Sequence, residues 1–244
     1  QNNKIYLIHK NRSHIEAVFA ILYEVEYLLL IPFFVLGLII GSFLNVVVLR
    51  LNSKPLTGRS MCMSCGKTLT WRELVPVFSF LFQKGKCRKC LSKISSQYIL
   101  VELVTGGAFT LIALSVFPFF QFDFISITQF VLYAGIASTL IALSVYDIYH
   151  SIIPNIFIWI LAGLFVVLMV VPNIPPIFSI WSIMEGPIVA APFFFLWLYS
   201  EGRWIGFGDV KLALVLGWIL GISAGFASLM ISIWIGAIVG IIFA

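Results

Sequence analysis

Asp147 closes the apolar run Phe124 to Tyr146, and Asp209 stands in Gly206-Phe207-Gly208-Asp209 just ahead of another apolar run. A carboxylate at mid-membrane costs roughly 2.5 to 3.5 kcal/mol on insertion scales, less at an interface, so such residues face protein or water and do chemistry. Two of them together suit general acid–base catalysis. An ionised carboxylate activates a water while a protonated one polarises a carbonyl, and a close pair shares one proton because both cannot easily ionise side by side. The competing reading is interfacial capping, since helix N-termini favour Asp. Capping suits Asp209, which precedes an apolar run, and suits Asp147 poorly, because Asp147 follows one.

A second pattern uses every cysteine in the chain: Cys62-x2-Cys65 and, 21 residues on, Cys87-x2-Cys90. Paired CxxC hooks offer four thiolates in the tetrahedral array that a structural zinc prefers, and a closed shell leaves no open position for substrate. Two disulfides are the alternative, which belongs to an oxidising compartment. Charge placement settles the compartment. Ten of the fifteen Lys and Arg fall between Arg50 and Lys93, against the single acid Glu73. By the positive-inside rule a short loop so charged is cytoplasmic, where thiols stay reduced. Topology accounts for these cations, and no nucleic-acid partner is expected.

The elements that must position these groups follow from composition. With 61% hydrophobic residues, 10% charged and a mean hydropathy of +1.08, the chain is a polytopic, all-α membrane protein. Its 244 residues allow six or seven spans of about 20 residues and one modest soluble insert. Fixing the cysteine loop inside, between spans Tyr27–Leu49 and Tyr98–Phe117, lets the rest be threaded. The chain turns outside near Pro118 to Asp123 and returns through Phe124 to Tyr146, delivering Asp147 to the inner face. It crosses again over Ile152 to Val171, turns at Pro172 to Pro176, and re-enters from about Ile180 to Tyr199, so that Asp209 emerges on the same face as Asp147. Val210 to Ala244 is too long for one span, and Gly221 to Gly225 offers a turn within it, giving about seven spans. Residue 1 is Gln and the chain stops inside an apolar run, so further sequence is expected at both ends. Residues 1–26 carry no cleavage-site pattern of a signal peptide and receive no role. Among other polar residues, Glu102, four or five residues into an apolar helix, reads as support for the site or the cysteine loop. His150 reads as a polar flank and Asp123 as a loop residue on the far side. Gly106 and Gly107 suit close helix packing.

Taken together, these residues resemble the type IV prepilin peptidases. The stretches that carry the likeness are Gly41-Ser42-Phe43-Leu44-Asn45, Pro76-Val77-Phe78-Ser79, Gly85-Lys86-Cys87-Arg88-x-Cys90 and Val101-Glu102-Leu103. Asp147 with Ile153-Pro154-Asn155, and Gly206-Phe207-Gly208-Asp209-Val210-Lys211, complete it. Departures from the pattern fall at Asn52, Gln97, Ile99 and Tyr149, none of them an aspartate or a cysteine of the two patterns. The resemblance implies a membrane aspartic endopeptidase, with Asp147 and Asp209 catalytic, that removes the basic leader of prepilin-like proteins at the cytoplasmic face of a bacterial inner membrane. It also implies methylation of the new N-terminal amine from S-adenosylmethionine, for which no binding residue can be named. Gly206 and Gly208 fit close approach beside Asp209, and Lys211 fits tuning of the pair or a headgroup contact. The implied organisation is an N-terminal segment 1–26, a membrane region 27–119 with a cytoplasmic zinc-ribbon-like loop at 50–96, and a peptidase domain 124–244. A presenilin-like intramembrane protease shares GxGD but cuts within a helix, and a transporter or assembly subunit would use the aspartates for protons or helix pairing.

Overall fold

The computed structural model describes residues 28–51, 58–117, 122–171 and 180–243, so the expectations for residues 1–26, for Asn52 and for the turn at 172–176 lie outside the described residues. Two compact units divide the chain, residues 1–130 and 131–244. All regular elements among the described residues are helices: α1 (Ile31–Arg50), α2 (Phe78–Phe82), α3 (Gln97–Val116), α4 (Phe124–His150), α5 (Asn155–Val170), α6 (Ile180–Ser200) and α7 (Phe207–Phe243).

Five of these, α1, α3, α4, α6 and α7, are long and apolar enough to cross a bilayer, while α5 is a shorter apolar helix. The break expected within the last apolar stretch is real: Gly221 leaves helical geometry at φ 78°, ψ 177°, dividing α7 into two segments. Only glycine adopts a positive φ there without a Cβ penalty. Large apolar side chains stay uncovered along the helices, Trp159 and Trp181 each 74% exposed, as expected where the surrounding solvent is lipid.

In the first unit α1 and α3 form one seam. Gly37 and Gly41, a GxxxG pair, face Thr105, Gly106 and Glu102. A Cβ on Gly37 would lie 2.6 Å from the Thr105 carbonyl oxygen, and one on Gly41 would lie 2.8 Å from the Glu102 Cα. Lipid gives no hydrophobic drive between helices, so such backbone approach, with its dispersion contacts, is what binds them. The buried Thr105 hydroxyl returns to the Val101 carbonyl at 2.7 Å, so the seam carries no orphan there. Phe33 and Phe130 close one end, edge to face at 4.9 Å.

In the second unit α6 and α7 repeat this device. A Cβ on Gly217 would meet the Gly186 Cα at 2.9 Å, and Val189, Ala190, Ala213 and Leu229 form the buried core beside it. Two boundaries differ from the hydropathy reading. Helix α4 runs on to His150, placing Asp147 inside its last turn, and α7 begins at Phe207, placing Asp209 inside its first. Apolar runs mark lipid contact, whereas backbone hydrogen bonding continues into polar residues at each end.

Candidate active site and metal centre

Asp147 lies near the C-terminal end of α4, where the helix dipole disfavours a carboxylate. The helix stops because Ser151 turns left-handed at φ 51° and returns its N–H to the Asp147 carbonyl at 2.7 Å. Ile152, Ile153 and Pro154 then lead into α5, with Pro154 as its extended N-cap residue. Opposite this connection, Asp209 occupies the first turn of α7 and accepts the Gly206 N–H on Oδ2 at 3.2 Å. A carboxylate reaching back to an amide ahead of its helix is stabilised by that hydrogen bond and by the dipole.

Two contacts fasten the start of α7 to the segment after Asp147. A Cβ on Gly208 would stand 3.0 Å from the Ile153 Cβ, so glycine here permits the close approach. Lys211 Nζ donates to Asn155 Oδ1 at 2.9 Å while lying 4.9 Å from the centre of the Phe207 ring. The outcome is that the segment following Asp147 lies against the first turn of α7, where Asp209 stands. Asp147 and Asp209 are both exposed residues. Asn155 is the residue that sequence reading passed over; its place in the Ile-Pro-Asn stretch was visible, its pairing with Lys211 was not.

The remaining candidates separate from this pair. His150 stacks on Tyr146 at 4.1 Å, and its Nδ1 lies 3.1 Å from the Tyr146 carbonyl oxygen. Asp123 accepts the N–H groups of Ile125 and Ser126 and so caps α4 at its other end, with the Ser126 contact holding its carboxyl below the usual range. Glu102 is buried in α3 and accepts the Val77 N–H at 2.7 Å; Ser42 also bonds to it. Val77 has φ 60°, uncommon for a β-branched residue, and it immediately precedes α2. Glu102 thus holds a strained bend in the cysteine loop, and by geometry it is a loop anchor.

Within that loop each CxxC sits in a knuckle closed by a single antiparallel bridge, Met61 to Thr68 and Lys86 to Lys93. Cys62, Cys65, Cys87 and Cys90 bring their four Sγ atoms within 4.8 Å of one another, and Cys62 and Cys90 are 3.8 Å apart. Metal–thiolate bonds of about 2.3 Å in a tetrahedron give edges of about 3.8 Å, so the donor set fits a metal ion. Amides of Cys65 and Ser64 pull the Cys62 thiol down to about 6, favouring thiolate. Cys65 is drawn down by the Lys67 amide, but burial and the neighbouring thiols prevail and push it up to about 11. Between the knuckles, Glu73 accepts from Lys67 at 2.8 Å and from the Thr70 N–H at 2.9 Å, which together hold its carboxyl at about 2.

A family profile described as Bacterial Peptidase A24 N-terminal domain matches residues 35–116, and one described as Type IV leader peptidase family matches residues 134–241. The chain is 36% identical over 218 residues to a Bacillus subtilis protein named Prepilin leader peptidase/N-methyltransferase, covering 85% of this chain and 80% of that one. A Vibrio cholerae protein of the same name is 32% identical over 213 residues, 81% of this chain and 80% of its own. A Burkholderia pseudomallei protein, again of that name, is 31% identical over 245 residues, 85% of this chain and 74% of its own. No solved structure matches the chain.

Proposed function

The chain belongs to the type IV leader peptidase family, and from that premise we propose that Asp147 and Asp209 cleave the leader peptide from prepilin-like substrates. The observation that supports this reading is the junction around Gly208, Ile153 and the Asn155–Lys211 bond, which holds the segment after Asp147 against the first turn of α7, where Asp209 stands. One ionised carboxylate takes a proton from water as its oxygen attacks the scissile carbonyl. The other, protonated, donates to the carbonyl oxygen and so stabilises the tetrahedral intermediate. Collapse of that intermediate breaks the C–N bond, and the proton held by the base passes to the departing amine. Lys211 and Asn155 act as positioning residues, fixing where the first turn of α7 begins.

The second activity in this reading is methyl transfer. S-adenosylmethionine, when bound, would supply the methyl group for the amine freed by cleavage, and the names of the relatives support this activity. The four cysteines are assigned a zinc ion, whose role here is to hold the shape of the loop. We assign residues 27–119 to the membrane region with its metal loop and 124–244 to the peptidase domain. The protein is multi-pass; membership of the family supports a bacterial inner membrane, and the concentration of cations between Arg50 and Lys93 supports a cytoplasmic side for this loop.

The test is a cleavage assay in liposomes with a prepilin-like substrate, comparing the wild type with Asp147→Asn and Asp209→Asn. Each variant should lose at least about a hundredfold in rate while folding normally. Mass spectrometry of the new N-terminus should find one added methyl with the wild type. Full cleavage by both variants would sink the assignment, and cleavage without methylation would leave a peptidase alone.

A further inference from the structure

Outside its spans the protein exposes an apolar surface that neither the peptidase pair nor the metal uses. Helix α2 presents Phe78, Leu81 and Phe82 on one side, 56%, 59% and 79% exposed, while Phe80 turns inward against Gly85. Trp71, in a single 3₁₀ turn ahead of it, is 72% exposed and has Arg72 5.2 Å from its ring centre. Contiguous exposed aromatics of this kind mark an interaction surface, because water covers them at a cost of tens of cal/mol per Å².

The surrounding charge identifies the partner. Arg72, Lys84, Lys86, Arg88, Lys89 and Lys93 lie within the same loop, whose one acid, Glu73, is already paired with Lys67. A basic leader peptide would be repelled by this surface, whereas anionic phospholipid headgroups would be drawn to it. The loop also begins and ends at membrane helices, since α1 ends at Arg50 and α3 starts at Gln97. It therefore stays close to one bilayer surface. Aromatic rings beside Lys and Arg are the composition that settles at such an interface.

We propose that the metal-bearing loop docks on the anionic surface of its own bilayer, with Trp71, Phe78 and Phe82 seated among the headgroups and the cations over the phosphates. Docking turns the loop from a tethered appendage into a fixed floor beside the membrane. The Glu102 contact with Val77 sets the angle at which α2 is presented, because it holds the strained residue that α2 follows.

The full chain in lipid nanodiscs provides the test. Trp71 fluorescence is isolated by subtracting a Trp71→Phe variant, and its quenching by headgroup-proximal spin-labelled lipid is read in phosphatidylcholine alone and with phosphatidylglycerol added. Quenching should rise with anionic lipid and fall with salt. A Phe78→Ser, Phe82→Ser variant should abolish it without loss of metal, since both rings are exposed and support no core. Neutralising Lys84 or Lys86 with Gln should each weaken docking about fivefold. Quenching that is absent, or indifferent to lipid charge, overturns the proposal. So does protection of Trp71 that appears only with added substrate or with rising protein-to-lipid ratio, which would make the surface a protein contact.

Discussion

Residue types and short spacings announced the two aspartates and the four cysteines, because both patterns are written locally in the chain. Their partners were not so written. Lys211 bonds Asn155 across 56 residues and Glu102 receives Val77 across 25, pairings that exist only once helices pack. Gly208 falls between: its place beside Asp209 was visible, while its reason, contact with Ile153, required the fold. Gly208→Ala places a methyl 3.0 Å from the Ile153 Cβ and must push the start of α7 outward. The contact is relieved by a few tenths of an ångström, short of the 1 Å that costs about a hundredfold, so kcat should fall roughly two- to tenfold with little change in melting temperature. An unaltered kcat would show that this junction does not set the catalytic geometry. The Glu73 carboxyl titrates at about 2 instead of 4.5, held down by Lys67 and Thr70. A depressed folded-state pKa adds stability that is complete above the ordinary carboxylate value and is lost as pH falls toward 2. The melting advantage of wild type over Glu73→Gln should therefore be constant from neutrality down to about 4.5 and shrink below it.

At the scale of elements, hydropathy located the spans and glycine spacing located the break at Gly221, but helix ends moved by a few residues where polar groups extend a helix beyond its apolar run. Capping physics explains both shifts that matter, Ser151 ending α4 and Gly206 preceding α7. The α1–α3 seam depends on bare backbone at Gly41, where a Cβ would meet the Glu102 Cα at 2.8 Å. Gly41→Leu should destabilise by roughly 1 to 3 kcal/mol or more and lower the yield of folded protein, read by thermal melting in detergent. The cysteine loop, with two knuckles of a single β-bridge each, should depend on the proposed zinc in the same way. Elemental analysis should find one zinc per chain, and chelation or Cys87→Ser should open the loop to protease while the membrane helices stay resistant.

For the whole molecule, sequence order alone delivered the architecture: a four-cysteine loop between the first two described spans, then a unit in which one helix ends and another begins with an aspartate. What it could not deliver was the meeting of those ends, since that depends on how α5, α6 and α7 pack in the second unit. Orientation in the membrane is the remaining global property, and cation placement predicts it. Because all four cysteines lie in the loop, a thiol reagent reports the side of that loop and nothing else. After chelation, a membrane-impermeant maleimide should label inverted membrane vesicles and spare right-side-out spheroplasts, as the positive-inside rule requires. The reverse pattern would move the loop outside, and span counting would carry Asp147 and Asp209 with it. Cleavage would then face the compartment opposite to the one where new substrates arrive, and the peptidase reading would need a different topology to survive.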